Sequence, residues 1–210
     1  AFTAGADISQ FDKNRADADA ADRYARISRD ARQLILDLRK PVIAMIDGYC
    51  LAGALEFAQM CDMRYCSDDA RFGVVETRFS TGIATMIMPW IVGARCREMV
   101  YTGDLVDADE ALRIGLVNRV YPKANLHDEV MKIAKRMGQV SLQCLQWNKR
   151  AMNGVAAAQG MQAAMEQGMH ACTLMNASDS PEFLQFDKIR RSEGLKAALA
   201  WREEQFRQYE

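Results

Sequence analysis

Apolar runs and helical patterns alternate along the first part of the chain. Apolar residues recur at helical spacing from Tyr24 to Leu38, and a continuous apolar run from Pro41 to Ile46 follows. Because this run is short and rich in β-branched residues, it predicts a buried strand in a parallel sheet. A helix and two further strands are predicted over Leu51 to Met60, Met63 to Ser67 and Phe72 to Val75. Such alternation is typical of an α/β layer.

The later part of the chain has a different pattern. Short helices are predicted over Thr85 to Val92, Arg95 to Tyr101 and Asp107 to Ile114, and a small strand over Val117 to Tyr121. Helical spacing then dominates and predicts helices over His127 to Met137, Ser141 to Met152, Ala156 to Met175 and Ser192 to Gln208. The patterns therefore predict an α/β core over residues 1–122 and a helical region over residues 123–210.

The first residues carry two local signals. Asp7 precedes Gln10 by three positions, which predicts a capped helix start. The segment from Asn14 to Asp22 is polar and has no apolar period, so it predicts a loop or a weak helix. The chain begins at Ala1 without an initiator Met, and we expect a native N-terminal segment to precede it.

Composition and charge exclude several classes of protein. The formal net charge of −1 lacks the basic excess of nucleic-acid-binding proteins, and the apolar stretches are too short to span a bilayer. The six cysteines lie in apolar runs without CxxC spacing, which favours buried, reduced thiols in the cytosol over a metal site or disulfides. We therefore expect a cytoplasmic protein with no nucleic-acid or membrane partner and no metal.

The common catalytic signatures are also absent from the sequence. It contains no GxSxG elbow, P-loop, HExxH or GxGxxG motif, and its histidines, His127 and His170, lie far from any candidate nucleophile. Acid–base chemistry is therefore expected from carboxylates, lysines or tyrosines.

Two segments of small residues can present backbone amides to a ligand. In the first, Gly5 permits an unusual backbone conformation, and Ala6 directly precedes a predicted helix start. In the second, residues 48–54 join a strand to a helix and include Gly53. Helix N-termini favour negative charge, so two such amides converging on one oxygen would form an oxyanion hole.

Two glutamates are candidates for acid–base chemistry. Glu56 follows Gly53 by three residues in an apolar helix, where a carboxylate must be paired, solvated or functional. The alternative to catalysis is a structural ion pair, with Arg64 or Arg71 as partner. Glu76 ends a predicted strand, a common location for active sites in α/β folds, and the alternative is a surface pair with Arg78. The spacing alone leaves both alternatives open.

Ordered segments of this sequence resemble those of the enoyl-CoA hydratase/isomerase (crotonase) family. The matching segments are Ala1 to Ile8, Lys40 to Gly48, Gly53 to Asp62, Ala70 to Glu76 and Tyr101 to Asn118. The resemblance implies a ββα-spiral core with a helical C-terminal region that builds homotrimers, often paired into hexamers. It implies no cofactor, because coenzyme A is part of the substrate.

The resemblance also implies roles for individual residues. It assigns the oxyanion-hole amides to Ala6 and Gly53 and the catalytic carboxylates to Glu56 and Glu76. It assigns coenzyme A or substrate binding to the segment that contains Ala4, Gly5, Asp7 and Ile8. The implied activity is the reversible hydration of a 2-enoyl-CoA through a thioester enolate. The alternatives are a double-bond isomerase of the same fold and a non-catalytic acyl-CoA-binding or scaffold protein.

Two departures from the family pattern bear on these roles. A glycine-rich segment that helps to position the attacking water in hydratases is replaced by the bulkier residues 80–90. A lysine that can reach coenzyme A phosphates corresponds to Trp201, with Arg202 beside it. These departures make enolate chemistry on an acyl-CoA a firmer expectation than the addition of water.

Overall fold

Helices and strands alternate up to Tyr121, and the described chain beyond it is helical. The computed structural model describes residues 1–14, 16–81, 87–176, 178 and 180–209. Its helices are α1 (Phe11–Asn14), α2 (Ala18–Asp37), α3 (Gly53–Met60), α4 (Met88–Val92), α5 (Cys96–Thr102), α6 (Ala108–Arg113), α7 (Leu126–Met137), α8 (Leu142–Ala158), α9 (Met161–Asn176), α10 (Pro181–Glu193) and α11 (Leu195–Arg207). Its strands are β1 (Ile43–Ile46), β2 (Tyr49–Leu51), β3 (Met63–Ser67), β4 (Arg71–Gly73), β5 (Val106–Asp107) and β6 (Arg119–Tyr121). Short 3-10 helices lie at Ile8–Gln10, Val75–Phe79, Gly93–Arg95 and Lys123–Asn125.

The strands of the described chain form two three-stranded sheets. In the first sheet, β3 pairs in parallel with β1 on one side and β6 on the other, and Ile43 lies opposite Met63. In the second sheet, β4 lies between β2, which is parallel to it, and β5, which is antiparallel. A parallel bridge between Thr3 and Cys50 adds the N-terminal segment to this second sheet. The predicted parallel pairing of the Pro41 to Ile46 run is confirmed.

One apolar core joins the two sheets and helix α3. Ile46 of β1, Phe72 of β4 and Leu55 of α3 are fully buried in it. Burying one such side chain contributes roughly 1.5–3 kcal/mol to folding. Met165 of α9 packs in the same core, so the helical region and the α/β part share buried surface.

Several helices have boundaries that the apolar pattern did not predict. The break between α8 and α9 lies at residues 159–160 rather than at 153–155. Helix α2 begins at Ala18 rather than Tyr24, because the Asp17 side chain accepts a hydrogen bond from the Ala20 N–H at 2.7 Å and caps the helix. The polar segment before Tyr24 is therefore largely helical. The predicted Ser192 to Gln208 helix is divided at Gly194, whose φ of +91° ends α10 and precedes α11.

The helix predicted over Thr85 to Val92 is observed in part. Helix α4 begins at Met88, and Pro89 lies in its first turn, where proline fits without loss of a helical hydrogen bond. Thr85 and Met86 lie outside the described residues. The division into a core over residues 1–122 and a helical region over residues 123–210 stays a prediction.

A buried ion pair fastens α8 to the α/β part. The Lys149 Nζ lies 2.8 Å from the Asp62 carboxylate and also donates to the Ile35 carbonyl at 3.0 Å. Asp62 accepts a second hydrogen bond, from the Val42 N–H at 2.7 Å. The Lys149 ammonium therefore joins the end of α2 to the turn between α3 and β3.

Among the described helices, none is both long and apolar enough to cross a lipid bilayer.

All six cysteines are reduced, and four of them are buried. Cys144 is exposed on α8 and Cys96 is half-buried, so the expectation of buried thiols was wrong for these two residues. Burial raises the pKa of the Cys50 and Cys66 thiols to about 12, because it disfavours the thiolate.

We predict that Cys144 reacts first with an alkylating reagent in the native protein. A pH of 8 is well below the pKa of the Cys50 and Cys66 thiols, so they stay protonated, and they are also shielded from solvent. They should therefore react only on unfolding. Timed iodoacetamide labelling followed by peptide mass spectrometry measures this order. Labelling of Cys50 in the native state as fast as Cys144 would contradict it.

Candidate active site

A cleft with a volume of about 340 Å³ contains all four residues predicted to take part in chemistry. Ala6, Gly53, Glu56 and Glu76 all line it. The remaining lining is mostly apolar, and part of it comes from α2 and from the C-terminal helices: Ala21, Tyr24, Ala25, Phe183, Phe186 and Leu199. Its volume and mostly apolar lining are typical of a small-molecule site.

The first amide segment is held against β2 by backbone hydrogen bonds. The Thr3 N–H donates to the Tyr49 carbonyl at 3.1 Å, and the Leu51 N–H donates to the Thr3 carbonyl at 3.2 Å. Gly5 then has a φ of +96°, and a Cβ built on it would lie 2.7 Å from the Ala52 Cβ. A side chain at this position would separate the two predicted amide segments. The glycine therefore lets Ala6 approach Gly53.

The second amide segment is the junction between β2 and α3. The Ala52 N–H donates to the Gly73 carbonyl at 2.9 Å, and its own carbonyl accepts from the Leu55 N–H at 2.9 Å. Gly53 is the first residue of α3, a position whose N–H has no partner within the helix. Neither the Gly53 nor the Ala6 N–H donates to another residue in the described part of the chain. Both amides are therefore able to donate to a ligand in the cleft.

Backbone strain accompanies this junction. Ala52 has φ +56° and ψ −130°, a conformation that only glycine adopts without strain. Strain of this kind costs about 1–3 kcal/mol and is found most often at functional sites. At Ala52 the conformation turns the chain sharply from β2 into α3, so that the N-terminus of α3 faces the cleft.

We predict that the substitution Ala52→Gly raises the free energy of unfolding by about 1 kcal/mol. Relief of the positive-φ strain should exceed the entropy that the unfolded chain gains from a glycine. Ala54→Gly, two positions later inside α3, is the matched control and should instead destabilise by about 1 kcal/mol. Urea unfolding monitored by circular dichroism measures both changes, and destabilisation of similar size in both variants would contradict the prediction.

Glu56 is buried on α3 and forms an ion pair with Arg32 of α2. The Arg32 Nη2 donates to the Glu56 Oε2, and the two side chains are 10% and 7% exposed. The proposed alternative partners were wrong, since Arg64 donates to the Leu116 and Cys61 carbonyls and Arg71 to the Ala70 carbonyl. The pair gives Glu56 a fixed orientation at the cleft wall.

Glu76 lies in the 3-10 helix Val75–Phe79 rather than at the end of a strand. Strand β4 ends at Gly73, and a short connection separates it from the 3-10 helix. The prediction that Glu76 ends a strand was therefore wrong. The Thr81 N–H and hydroxyl both donate to the Glu76 carbonyl, at 3.1 and 3.2 Å. These bonds hold the short helix in place and keep Glu76 at the cleft.

The C-terminal helices support the short helix that contains Glu76. Phe79 packs on Phe186 of α10 with ring centroids 5.3 Å apart. Arg202 of α11 donates to the Arg78 carbonyl, and the guanidinium groups of Arg78 and Arg202 lie 4.7 and 4.9 Å from the Phe206 ring centroid. Burial lowers the pKa of the Arg202 guanidinium from its ordinary value. The helical region therefore contributes to the position of Glu76.

Some residues of the segment predicted to bind coenzyme A line the cleft, and the others stabilise the local backbone. Ala4 and Ile8 line the cleft. Gly5 provides the close approach to Ala52. Asp7 caps the first 3-10 helix by accepting hydrogen bonds from the Ser9 N–H at 2.9 Å and the Ser9 hydroxyl at 2.7 Å. Its position therefore indicates a structural contribution.

Arg32 is the site residue that the sequence pattern did not reveal. It lies on α2 and is 8% exposed. The signal that could have indicated it is the isolated carboxylate of Glu56 in an apolar helix, which requires a cation nearby. Which helix supplies that cation depends on tertiary packing between α2 and α3.

The fold and the cleft together define a class of protein. Ala6 and Gly53, each close to the start of a helix, line one mostly apolar cleft of an α/β fold together with Glu56 and Glu76. Such an arrangement can stabilise negative charge on a carbonyl oxygen and move protons beside it. Among the described residues, no group of acidic, cysteine and histidine side chains could hold a metal ion.

Comparisons with known proteins identify the family. The family model for enoyl-CoA hydratase/isomerase matches residues 1–195. A crotonyl-CoA hydratase of Syntrophomonas wolfei is 36% identical over 174 residues, which cover 80% of this chain and 64% of that protein. A mitochondrial Δ(3,5)-Δ(2,4)-dienoyl-CoA isomerase of Dictyostelium discoideum is 33% identical over 158 residues, 73% of this chain and 51% of that protein. The chain thus spans between half and two thirds of the length of these two relatives.

A solved structure of an enoyl-CoA hydratase/isomerase superposes on nearly the whole chain. The crystal structure of an enoyl-CoA hydratase/isomerase from Xanthobacter autotrophicus Py2 superposes with a TM-score of 0.93 at 36% identity, covering 98% of this chain and 78% of that one. The chain belongs to the enoyl-CoA hydratase/isomerase family. The predicted family and the crotonase-like fold are confirmed.

Proposed function

We propose that this protein catalyses the reversible hydration of a 2-enoyl-CoA through a thioester enolate. The observation that carries the proposal is the convergence of Ala6, Gly53, Glu56 and Glu76 on one mostly apolar cleft. The name of the Syntrophomonas relative, a crotonyl-CoA hydratase, supports the reaction type. No cofactor is required, because coenzyme A is part of the substrate.

The Ala6 and Gly53 amides would stabilise the enolate. Negative charge develops on the thioester oxygen as the enolate forms, and both N–H groups would donate to that oxygen. Removing one such donor typically costs about 3 kcal/mol of transition-state stabilisation. The segment from Ala4 to Ile8 would contact the coenzyme A portion of the substrate.

Glu56 and Glu76 would provide the acid–base chemistry. One carboxylate accepts a proton from water as the water oxygen bonds to the β-carbon. The α-carbon of the enolate then takes a proton from the other glutamate. One water is consumed, and the reverse sequence releases it.

The test is product analysis after incubation with crotonyl-CoA and, separately, with a 3-enoyl-CoA. Hydration predicts that 3-hydroxybutyryl-CoA forms from crotonyl-CoA. Rapid conversion of the 3-enoyl to the 2-enoyl isomer without hydration would instead favour the double-bond isomerase, an alternative supported by the Dictyostelium relative's name. Binding of acyl-CoA without either reaction, and without deuterium exchange at the α-carbon in D₂O, would favour a non-catalytic protein.

We further propose that the chain assembles as a homotrimer or hexamer in the cytoplasm. Support for assembly comes from large apolar side chains on one helix of the helical region: Trp147, Met152 and Val155 of α8 are 61%, 63% and 59% exposed. The reduced cysteines support a reducing compartment. Light scattering coupled to size-exclusion chromatography measures the mass, and a monomer at micromolar concentration would contradict assembly.

A further inference from the structure

Five aromatic rings line the cleft in addition to the groups that the proposed chemistry uses. They belong to Phe11, Tyr24, Phe79, Phe183 and Phe186, and they come from four different elements of the fold. Phe186 is buried, whereas the other four residues are only half-buried. Apolar surface that is gathered in a concavity and left open to water is typical of a ligand-binding site, because a ligand that covers it gains free energy.

The cleft is larger than a short acyl group requires. Its volume of about 340 Å³ lies in the range of sites that enclose a whole drug-sized ligand. A crotonyl group carries only a methyl group beyond its reacting double bond, so it would leave most of the ring surface uncovered. The rings are therefore available to a larger apolar substituent on the β-carbon.

One pair of rings lies beside the carboxylate at which the β-carbon would react. Phe79 follows Glu76 by three residues in the same 3-10 helix, a spacing that places both side chains on one face of such a helix. The Phe79 and Phe186 ring centroids are 5.3 Å apart and the rings are tilted by 57°. A third ring packed beside this pair can meet the face of one ring and the edge of the other, a geometry that aromatic rings prefer.

Ion pairs hold the ring-bearing helices in place. Arg190 of α10 lies 2.6 Å from the Asp12 carboxylate of α1 and 2.6 Å from the Asp187 carboxylate of its own helix. Asp12 follows Phe11 directly, and α10 also carries Phe183, so this contact joins two walls of the cleft. Walls that are fixed before binding favour a rigid ligand, and an aryl group has fewer rotatable bonds than an alkyl chain with as many carbons.

We propose that the cleft binds an acyl group with an aromatic ring on its β-carbon, so that the substrate class is the 3-aryl-2-enoyl-CoA thioesters, of which cinnamoyl-CoA is the simplest. This inference rests on the proposed hydratase function. With the thioester oxygen at the Ala6 and Gly53 amides and the β-carbon beside Glu76, the aryl group lies against Phe79 and Phe186. The ring takes no part in the reaction, in which one water is still added across the double bond.

The test is the affinity of the wild type for three saturated thioesters, which bind without being hydrated. They are 3-phenylpropanoyl-CoA, nonanoyl-CoA, which has the same number of acyl carbons, and butyryl-CoA. We expect the Kd of 3-phenylpropanoyl-CoA, measured by calorimetry, to be about tenfold or more below that of butyryl-CoA and also below that of nonanoyl-CoA. Equal affinity for 3-phenylpropanoyl-CoA and butyryl-CoA, or tighter binding of nonanoyl-CoA, would overturn the proposal.

A matched pair of variants tests whether the cleft rings cause the preference. Phe183→Leu removes one ring but keeps an apolar side chain, and it should reduce the advantage of 3-phenylpropanoyl-CoA over butyryl-CoA by about threefold or more. Tyr101→Leu is the control, because its ring is 75% exposed on α5 and is not part of the cleft lining, and it should keep the full advantage. Equal advantages in the two variants would contradict the role of the rings.

Hydration assays separate this inference from the proposed function. A wild type that hydrates crotonyl-CoA but shows no preference for the aryl thioester contradicts the inference and leaves the proposed function intact. A wild type that prefers 3-phenylpropanoyl-CoA but hydrates neither crotonyl-CoA nor cinnamoyl-CoA contradicts the proposed function, while the aryl-binding cleft is supported.

Discussion

The substitution Glu76→Gln is expected to lower the kcat for crotonyl-CoA hydration by about 10²–10⁴-fold, the usual contribution of one positioned acid–base group. The amide keeps the shape of the side chain but cannot accept or return a proton at the reacting carbons. Because the Glu76 carbonyl, rather than its carboxylate, takes the hydrogen bonds from Thr81, the local helix should persist. Steady-state kinetics and circular dichroism measure the two quantities separately.

The matched control is Glu110→Gln, a surface glutamate paired with Arg113 at the end of α6. It loses the same charge outside the cleft and should keep wild-type activity. If Glu76→Gln hydrates crotonyl-CoA at the wild-type rate, Glu76 is not an acid–base residue and the proposed two-carboxylate mechanism is wrong.

The local part of this site could be predicted from the sequence because its chemistry depends on short-range patterns. Gly5 and Gly53 mark places where the backbone must turn or begin a helix, and Glu56 follows Gly53 at helical spacing. The parallel strand at Ile43–Ile46 follows from its short β-branched run. For such features, the neighbouring residues determine the conformation.

Features set by tertiary packing could not be predicted in the same way. Distance along the sequence favours Arg64 and Arg71 as partners of Glu56, but the structure supplies Arg32 from α2. The Glu76 backbone is a 3-10 turn instead of a strand end, and it is held by aromatic and arginine contacts with α10 and α11. These contacts join residues more than a hundred positions apart, and no periodic pattern encodes them.

The helix boundaries show the same division between local and distant causes. The Asp17 cap is a local signal that extends α2 toward the N-terminus, into a segment whose missing apolar period predicts a loop or a weak helix. Helix α10 was missed because its segment is mainly polar and its main buried residue is Phe186, which packs on Phe79. A helix that buries so little has a weak apolar pattern even where its capping signals, Ser180 and Pro181, are clear.

The substitution Arg32→Leu is expected to lower the free energy of unfolding by about 3–5 kcal/mol. It removes the cation from a buried ion pair and leaves the Glu56 carboxylate with a large desolvation cost. Leucine keeps the apolar packing of α2, so the loss should come mainly from charge. Chemical unfolding followed by fluorescence or circular dichroism measures the change.

A double-mutant cycle tests whether the pair, rather than either residue alone, causes this loss. In Arg32→Leu/Glu56→Gln neither residue of the pair carries a charge, so most of the lost stability should return. The reason is that a buried ion pair often contributes little more to stability than a neutral replacement. Arg26→Leu is the matched control on the same helix: its partner Asp22 is exposed, and its unfolding midpoint should stay close to that of the wild type. If Arg32→Leu is as stable as Arg26→Leu, or if the double variant is less stable than Arg32→Leu, the Glu56 carboxylate does not depend on Arg32. Orientation of Glu56 at the cleft would then have to come from α3 itself, and hydration in Arg32→Leu should proceed at the wild-type rate.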